Sequence, residues 1–542
     1  LNAAGDRQGA RWHAGRVATP DGFADAYRQY VAAGWQGLSC SSALGGQGLP
    51  KLVGAAVQEI WKASNQAWSI CQALTLGAIE VLVASGSARQ RELLLPKLLS
   101  GEWSAAMNLT EAQAGSDLST VRTRAVPQAD GSYRVVGQKV FISYGEHDMS
   151  DNIIHFVLAR TPDAPSGTAG ISLFAVPKWL INPDGSLGAR NDVRCVGIEH
   201  KLGLHGSPTC AMHYGEHGGA VAEMVGRPHE GLKTMFAMMN SGRVSAGLEG
   251  VGVAERAYQQ AVAYARTRVQ GRGEAGAPVA IIAHPDVRRM LMLMRSRIEA
   301  MRALAYWAAA VQDTAACHPD ADVRAQHASL ADLMTPVVKA WCTEVGLQVT
   351  DLGIQVHGGS GYIEATGAAQ HLRDLRICTI YEGTTGIQAK DLIGRKVVRD
   401  GGACLRSLIL RMRASTAQLM GHHNAATCTP IHAIGTALAQ GIDQLSAALD
   451  HMLAAPRGDA GPAVGAVSFL HLVGLVSGGW MCAQAALLAA EHVARGSADP
   501  FHSAKISSAS FYCAHVLVQA AGHAHIVRGD GASTMAIADQ DF

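Results

Sequence analysis

Asp130-Gly131-Ser132-Tyr133-Arg134-Val135-Val136-Gly137-Gln138-Lys139-Val140-Phe141-Ile142-Ser143 is the stretch whose reading decides the fold. Asp-Gly is a hairpin signal. Behind it come two short β-type runs, Tyr133–Val136 and Lys139–Ile142. Ile153–Leu158 and Ile171–Val176, the latter closed by Pro177, continue the pattern. Short strands at regular spacing, separated by Gly, Pro and Asp turns, predict a small β-barrel or sandwich over residues 106–225. On both sides the period changes. Residues 23–100 show apolar positions at helical spacing, as in Val57, Ile60-Trp61 and Leu76 to Val83. Pro96 is expected early in a short helix that ends at Gly101. Helical spacing returns near residue 231, with long amphipathic stretches at Val251–Arg268, Val287–Ala310 and Ala325–Val349. Arg399-Asp400-Gly401-Gly402 marks a boundary, and residues 403–542 are Ala-rich, helical in pattern and without strand signals. The chain therefore reads as mainly α with an inserted β-domain. The expected divisions are 1–105, 106–225, 226–400 and 401–542.

Composition narrows the function classes. Of 542 residues, 48% are hydrophobic and 16% charged, enough apolar material for large cores. Lys and Arg number 45 against 44 Asp and Glu, so no basic excess points to nucleic acid or to an anionic membrane surface. Eleven Cys with no C-x-x-C pair read as buried, reduced thiols of a cytoplasmic protein. The chain starts Leu1-Asn2-Ala3 with no charged-then-apolar leader, so no signal peptide is expected, although the start is read as lying further upstream. Residues 460–490 carry no formal charge and are long enough to span a bilayer. His471, Ser477, Gly478, Gly479 and Gln484 within them favour a buried bundle helix over stable membrane insertion.

Two tempting motifs lead nowhere. Gly247-Leu248-Glu249-Gly250-Val251-Gly252 has the spacing of a dinucleotide loop, but it lies in a helical pattern with no preceding strand, so close helix packing is expected. His357-Gly358-Gly359-Ser360-Gly361 resembles an oxyanion loop, but the chain holds no G-x-S-x-G elbow. The ten His beyond residue 400 come without a ligand-spaced Cys or carboxylate cluster, so no metal site is expected.

Three segments carry chemistry. Met107-Asn108-Leu109-Thr110-Glu111-Ala112-Gln113-Ala114-Gly115-Ser116-Asp117 is a loop of small residues, hydroxyls and backbone N–H groups that suits a phosphate or flavin contact. Gly137 to Gly145 places Phe141 and Ser143 two residues apart on one face of a strand. Ile380-Tyr381-Glu382-Gly383-Thr384 sets a carboxylate in a turn between apolar positions. Such a setting desolvates the carboxylate and raises its pKa, as a general base needs. The alternative for Glu382 is a cap before a helix over 387–398.

In this order and on this layout the segments resemble the acyl-CoA dehydrogenase family over residues 25–398. Thr110-Glu111-x-x-Ala114-Gly115-Ser116-Asp117 matches the family's flavin loop, and Gly137–Ser143 matches its flavin strand with one extra residue before the aromatic. Glu199–Thr209, Arg243, Gln355-x-x-Gly358-Gly359 and Ile380–Thr384 match further family elements. The resemblance implies an N-terminal helical domain, a middle β-domain, a C-terminal four-helix bundle and an additional helical domain.

It also implies the following roles. FAD is the cofactor, with Thr110 and Ser143 on its ring, Phe141 packed against it, and Met107 and Thr384 among its contacts. Ser116 touches the FAD pyrophosphate and the substrate. Arg268, Gln270, Gln355, Gly358 and Gly359 reach the FAD of a partner subunit, which requires a homodimer or a higher assembly. Glu382 is the base that takes the α-proton of an acyl-CoA substrate, and the β-hydride passes to flavin N5. The backbone N–H of Glu382 holds the thioester oxygen. Arg243, Tyr381 and Gly383 lie on the substrate side, and electrons leave to an electron-transfer flavoprotein or similar acceptor. Some members carry the base just before the helix arginine, where this chain has Ser241-Gly242. Two departures stand out: Arg268-Val269-Gln270-Gly271 lacks the family's Phe, and Gly386 stands where a Gln is usual.

The added residues 401–542, with Phe501–Ile506 and Phe511-Tyr512, resemble the 3-methylmercaptopropionyl-CoA dehydrogenase group, as do Trp103 to Thr110 and Tyr144–Met149. Two rivals use the same fold: an acyl-CoA oxidase reoxidised by oxygen, and a DNA-associated member. Seven Lys and Arg against eight Asp and Glu in 401–542 speak against the second.

Overall fold

The computed structural model describes residues 1–456 and 460–542 and divides into two compact units, Leu1–Ser245 and Ala246–Phe542. In the first unit, helices α1 (Phe23–Ala32), α2 (Lys51–Ser64), α3 (Gln66–Ser85) and α4 (Ala88–Ser100) precede the sheet. Asn65 separates α2 from α3, and its side chain accepts a hydrogen bond from the Trp68 N–H, which caps α3. Tyr30, Trp35, Trp61 and Trp68 meet edge-on across these helices.

The helix containing Pro96 is longer than its sequence suggests. Ser87 and Gln90 form a reciprocal capping box, so α4 starts eight residues before the proline. Pro96 then falls in the interior, where it forfeits one backbone bond. Gly101, at φ +82°, closes the helix as expected.

The sheet comprises β1 (Trp103–Asn108), β2 (Arg124–Pro127), β3 (Tyr133–Ser143), β4 (Asn152–Ala159), β5 (Ser172–Pro177), β6 (Val193–Ile198), β7 (Thr209–Tyr214) and β8 (Ala220–Val225). Its order is β6-β7-β3-β8-β5-β4-β1, with β2 on β3. The β1–β4 pairing is parallel, and the other strand pairings of this sheet are antiparallel among the described residues. The Asp130-Gly131 turn joins β2 to β3 as a hairpin. The two expected runs flanking Gly137 are one continuous strand. Its first half pairs with β8 and its second with β7, so Gly137 lies where the strand changes partner. β1 and β4 are almost wholly buried, which explains their unbroken apolar runs.

Helix α5 (Gly231–Thr267) begins in the first unit and ends in the second. The second unit continues with a hairpin (Val269–Arg272 with Pro278–Ala280), then α6 (Pro285–Cys317), α7 (Ala321–His357), α8 (Ala368–Leu375) and α9 (Thr385–Asp391). α9 passes into wider turns over Leu392–Val397. Gly401 and Gly402 both take left-handed backbone and close this part of the chain. The Ala-rich remainder forms α10 (Ala403–Met420), α11 (Cys428–Ala454), α12 (Ala466–Ala494), α13 (Pro500–His515) and α14 (Ala520–Val527).

The Gly247–Gly252 segment is helical, and its glycines serve packing. A Cβ on Gly250 would lie 2.3 Å from the Cys342 carbonyl oxygen, and one on Gly247 would lie 2.7 Å from the Val338 side chain. α5 and α7 therefore approach backbone to backbone. The uncharged stretch 460–490 falls mainly in α12, which is long and apolar enough to cross a membrane but mostly buried, as is α3. The indole of Trp341 on α7 fills the space over Gly474 and Gly478 of α12.

Candidate active site

In the first unit, the two expected flavin segments are joined by a buried ion pair. The Lys139 ammonium donates to Glu111 Oε1 at 2.8 Å and to the Leu109 carbonyl at 2.9 Å, and both charged side chains are buried. Glu111 also accepts from the Thr123 hydroxyl and from the N–H groups of Arg122 and Thr123. Burial alone would raise the Glu111 pKa, but Lys139 and these donors hold it down at about 2. Burial pushes Lys139 the other way for a cation, down to about 8, against the attraction of Glu111. The Val140 N–H donates to the Thr110 carbonyl at 2.9 Å, so loop and strand run side by side.

The extra residue before the aromatic has a local answer. Between the pairs Lys139↔Met212 and Ile142↔Cys210, β3 has two residues where β7 has one. This is a β-bulge. Lys139 and Ile142, three apart, both point inward. Phe141 takes φ +59° and is 63% exposed, while Ser143 is half-buried. A bulky residue in left-handed backbone with its ring bare is the kind of strain found where a ligand is to be covered. Thr110 and Met107 are half-buried, and Ser116 is exposed beside Gly115, where an added Cβ would meet nothing within 4 Å. Bare ring, neighbouring hydroxyls and open loop fit a flavin. Arg243 is buried; its guanidinium donates to Asn240 at 3.3 Å and lies over the Phe236 ring.

Two features of the Tyr144–Met149 run are structural. The Tyr144 hydroxyl donates to the Ala67 carbonyl at 2.6 Å. His147 accepts from the Met149 N–H at Nδ1, so its Nε2 bears the proton shared with Ser104 at 2.9 Å. Burial pushes the His147 pKa down to about 3, which keeps it neutral.

In the second unit, the turn at Glu382 is held from several directions. Glu382 has φ +56° and Gly383 φ +88°. A Cβ on Gly383 would come within 2.6 Å of Gln388 Nε2, so glycine is required there. Gln388 Nε2 donates to the Glu382 carbonyl at 3.0 Å, and the buried Lys339 ammonium donates to the Gly383 carbonyl at 2.7 Å. Thr385 donates to Glu344 at 2.5 Å. Helix α9 begins at Thr385, and its cap is the Thr384 hydroxyl, which accepts from the Ile387 N–H at 3.2 Å. The capping role that the sequence left open for Glu382 thus falls to Thr384.

The apolar setting expected from Ile380 and Tyr381 differs in detail. Ile380 is 48% exposed and Glu382 half-buried. The Tyr381 hydroxyl is turned to the buried carboxylate of Glu249, to which it donates, and Cys378 Sγ donates to the same oxygen at 3.0 Å. Burial, with Cys378 and Glu249 alongside, pushes the Tyr381 hydroxyl well above the usual tyrosine range. Glu249, Lys339 and Gln388 were not singled out in the sequence. For Lys339 the signal is a charged residue inside an apolar helical run, Val337-Val338-Lys339-Ala340-Trp341, whereas Glu249 lies in the Gly-rich run 247–252 and Gln388 in the polar run 384–391.

Arg268 and Gln270 lie at the end of α5 and in the hairpin, exposed. Gln355, Gly358 and Gly359 are exposed at the end of α7, with Gly358 at φ +58°. The two groups are coupled: Tyr264 stacks on His357 at 4.5 Å between ring centres, and the Arg268 N–H donates to the Tyr264 carbonyl at 2.9 Å.

Four family models match the chain: acyl-CoA dehydrogenase N-terminal domain (7–102), middle domain (106–216), C-terminal domain (229–397), and acetyl-CoA dehydrogenase C-terminal like (410–538). The chain belongs to the acyl-CoA dehydrogenase family of FAD-dependent oxidoreductases. It is 47% identical to 3-methylmercaptopropionyl-CoA dehydrogenase of Ruegeria pomeroyi, over 99% of this chain and 91% of that protein. It is 35% identical to a broad-specificity linear acyl-CoA dehydrogenase of Mycobacterium tuberculosis, over 92% and 84% respectively. Two solved structures share the fold. One is a Caenorhabditis elegans protein in complex with C11-CoA (TM-score 0.76, 21% identity, 92% of this chain and 80% of that one). The other is a Bacillus anthracis acyl-CoA dehydrogenase complexed with FAD (TM-score 0.74, 22% identity, 95% and 85%).

Proposed function

We propose that the protein dehydrogenates an acyl-CoA thioester between Cα and Cβ to the trans-2-enoyl-CoA, with Glu382 as the base. The substrate is 3-methylmercaptopropionyl-CoA or a related short- or medium-chain acyl-CoA, a reading supported by the 47% identity over nearly the full length. The observation that carries the base is the turn itself. Glu382 occupies left-handed backbone that a non-glycine residue adopts only where its surroundings over-determine it. Gln388 and Lys339 fix the carbonyls on its C-terminal side, and Thr384 takes over the helix cap.

FAD, when bound, accepts the β-hydride. Thr110, Ser143, Phe141, Met107, Ser116 and Thr384 are the residues of this chain that would hold it, and Arg268, Gln270, Gln355, Gly358 and Gly359 would reach the FAD of a partner copy in a homodimer or larger assembly. The Glu382 carboxylate removes the α-proton, and its backbone N–H donates to the thioester oxygen as enolate charge develops there. Arg243, Tyr381 and Gly383 would contact the substrate. Binding of the thioester would expel water and strengthen both interactions. Electrons leave to an electron-transfer flavoprotein or similar acceptor in the cytoplasm.

The test is Glu382→Gln, which keeps size and removes the base. Turnover is expected to fall by about 10³-fold or more, in line with loss of a proton-transfer partner. FAD content should be almost unchanged. Rapid flavin bleaching by acyl-CoA in this variant refutes the assignment.

A further inference from the structure

Helix α5 brings a second carboxylate to the turn, and the reaction as described does not use it. Glu249 is 3% exposed, on the helix face that meets the segment 378–381. One of its oxygens receives two donors, Tyr381 Oη and Cys378 Sγ. Tyr381 immediately precedes Glu382. On the other side of Glu382, Lys339 holds the Gly383 carbonyl and Gln388 the carbonyl of Glu382 itself. The left-handed residue is thus gripped one position before and one position after by charged groups from α5 and α7. Gly247 and Gly250 bring the two helices into close backbone contact beside this turn.

We propose that Glu249 is a positioning residue for the reaction: by holding the Tyr381 hydroxyl it fixes the direction in which the Glu382 carboxylate leaves the turn. The proposal rests on Glu382 being the base. A carboxylate that must meet one particular α-proton tolerates little error, and a displacement of about 1 Å can cost on the order of 100-fold in rate. A buried acid serving stability alone would alter how much enzyme folds and carries flavin, but not the rate of the flavin-bound fraction.

The experiment is an anaerobic stopped-flow measurement on the flavin-bound holoenzyme. Saturating 3-methylmercaptopropionyl-CoA is the probe, and bleaching at about 450 nm is the readout. Tyr381→Phe keeps the ring and deletes only the hydroxyl. Its bleaching rate constant is expected to fall by about 10- to 100-fold, with thioester dissociation constant and FAD content within about 3-fold of the parent. Glu249→Met is expected to fall by the same factor, while Glu249→Gln, which keeps an acceptor oxygen, stays within about 5-fold of the parent. If Glu249→Met does not retain flavin, Tyr381→Phe decides the question. Bleaching by Tyr381→Phe within about 2-fold of the parent overturns the proposal. Glu382→Gln runs in parallel: a fast Glu382→Gln removes the underlying reading, whereas a dead Glu382→Gln beside a fast Tyr381→Phe removes only the positioning role.

Discussion

Replacing Lys139 by Met would strand Glu111. The carboxylate would keep its hydrogen bonds from Thr123 and Arg122 but lose the ammonium of its buried ion pair. Removing one partner of a buried pair costs about 3–5 kcal/mol, because the remaining charge stays desolvated. Glu111→Gln should cost less, about 1–3 kcal/mol, since an amide oxygen can still accept and the surviving Lys139 can shed its proton. The double variant should cost less than the sum of the two singles. The pair also has a pH signature. A Glu111 carboxyl held at about 2 instead of the ordinary 4.5 stays charged in the folded chain after the unfolded chain has begun to take up a proton. The stability it contributes is therefore present above about 4.5 and is lost as the pH falls toward 2. The shift corresponds to roughly 3 kcal/mol, and to about half of that after allowance for solvent screening. Urea unfolding followed by circular dichroism at pH 6 and at pH 3, for the parent and Glu111→Gln, isolates this share. Equal pH dependence in the two proteins, or a Lys139→Met variant as stable as the parent, would refute the reasoning. Because the pair ties the Thr110 loop to the Phe141 strand, Lys139→Met should also lower FAD occupancy, read from the flavin-to-protein absorbance ratio.

Gly250→Ala forces a methyl to within 2.3 Å of the Cys342 carbonyl and should cost about 1–3 kcal/mol despite the better helix propensity of Ala; a gain in melting temperature would contradict the close α5–α7 contact. Arg268→Ala should lower FAD occupancy more than acyl-CoA affinity, with titration of flavin and thioester as the two measurements, and equal losses would count against the partner-subunit role. Trp341→Ala leaves a cavity against Gly474 and Gly478 and should cost about 3–5 kcal/mol in urea unfolding.

The order helices, β-sheet, helices, added helices was legible because side-chain period switches from 3.6 to 2 and back, with Asp130-Gly131 marking a hairpin inside the β-region and Gly401-Gly402 the boundary before the added helices. Pro96 misled because a proline reads as an early helix position, whereas Ser87 and Gln90, upstream of it, set the true start. The spare residue before Phe141 could be counted in the sequence but its bulge could not, since a bulge exists only relative to the partner strand β7. Glu111 and Lys139 were each quoted within a segment, yet their pairing spans 28 residues and emerges only when loop and strand are adjacent. Glu249 was hidden more deeply. It lies between glycines that drew attention for their spacing, and its partners stand 129 and 132 residues away. Short-range period finds elements; the groups that hold an active turn in place are chosen by tertiary neighbours and leave only an out-of-place charge as a trace.

The helix that carries Lys339 to the Gly383 carbonyl also carries, two residues on, the indole seated over Gly474 and Gly478, and α9 packs against the same α12. The added C-terminal helices are consequently a shared wall and not an appendage: the backing of the turn and the docking of α12 use one stretch of α7. Heat or denaturant that loosens residues 466–494 should be felt at residue 382 within the same transition, so that loss of activity and loss of C-terminal helix follow one curve. A chain shortened at residue 400 would have to close that face with something else before its turn could hold its shape.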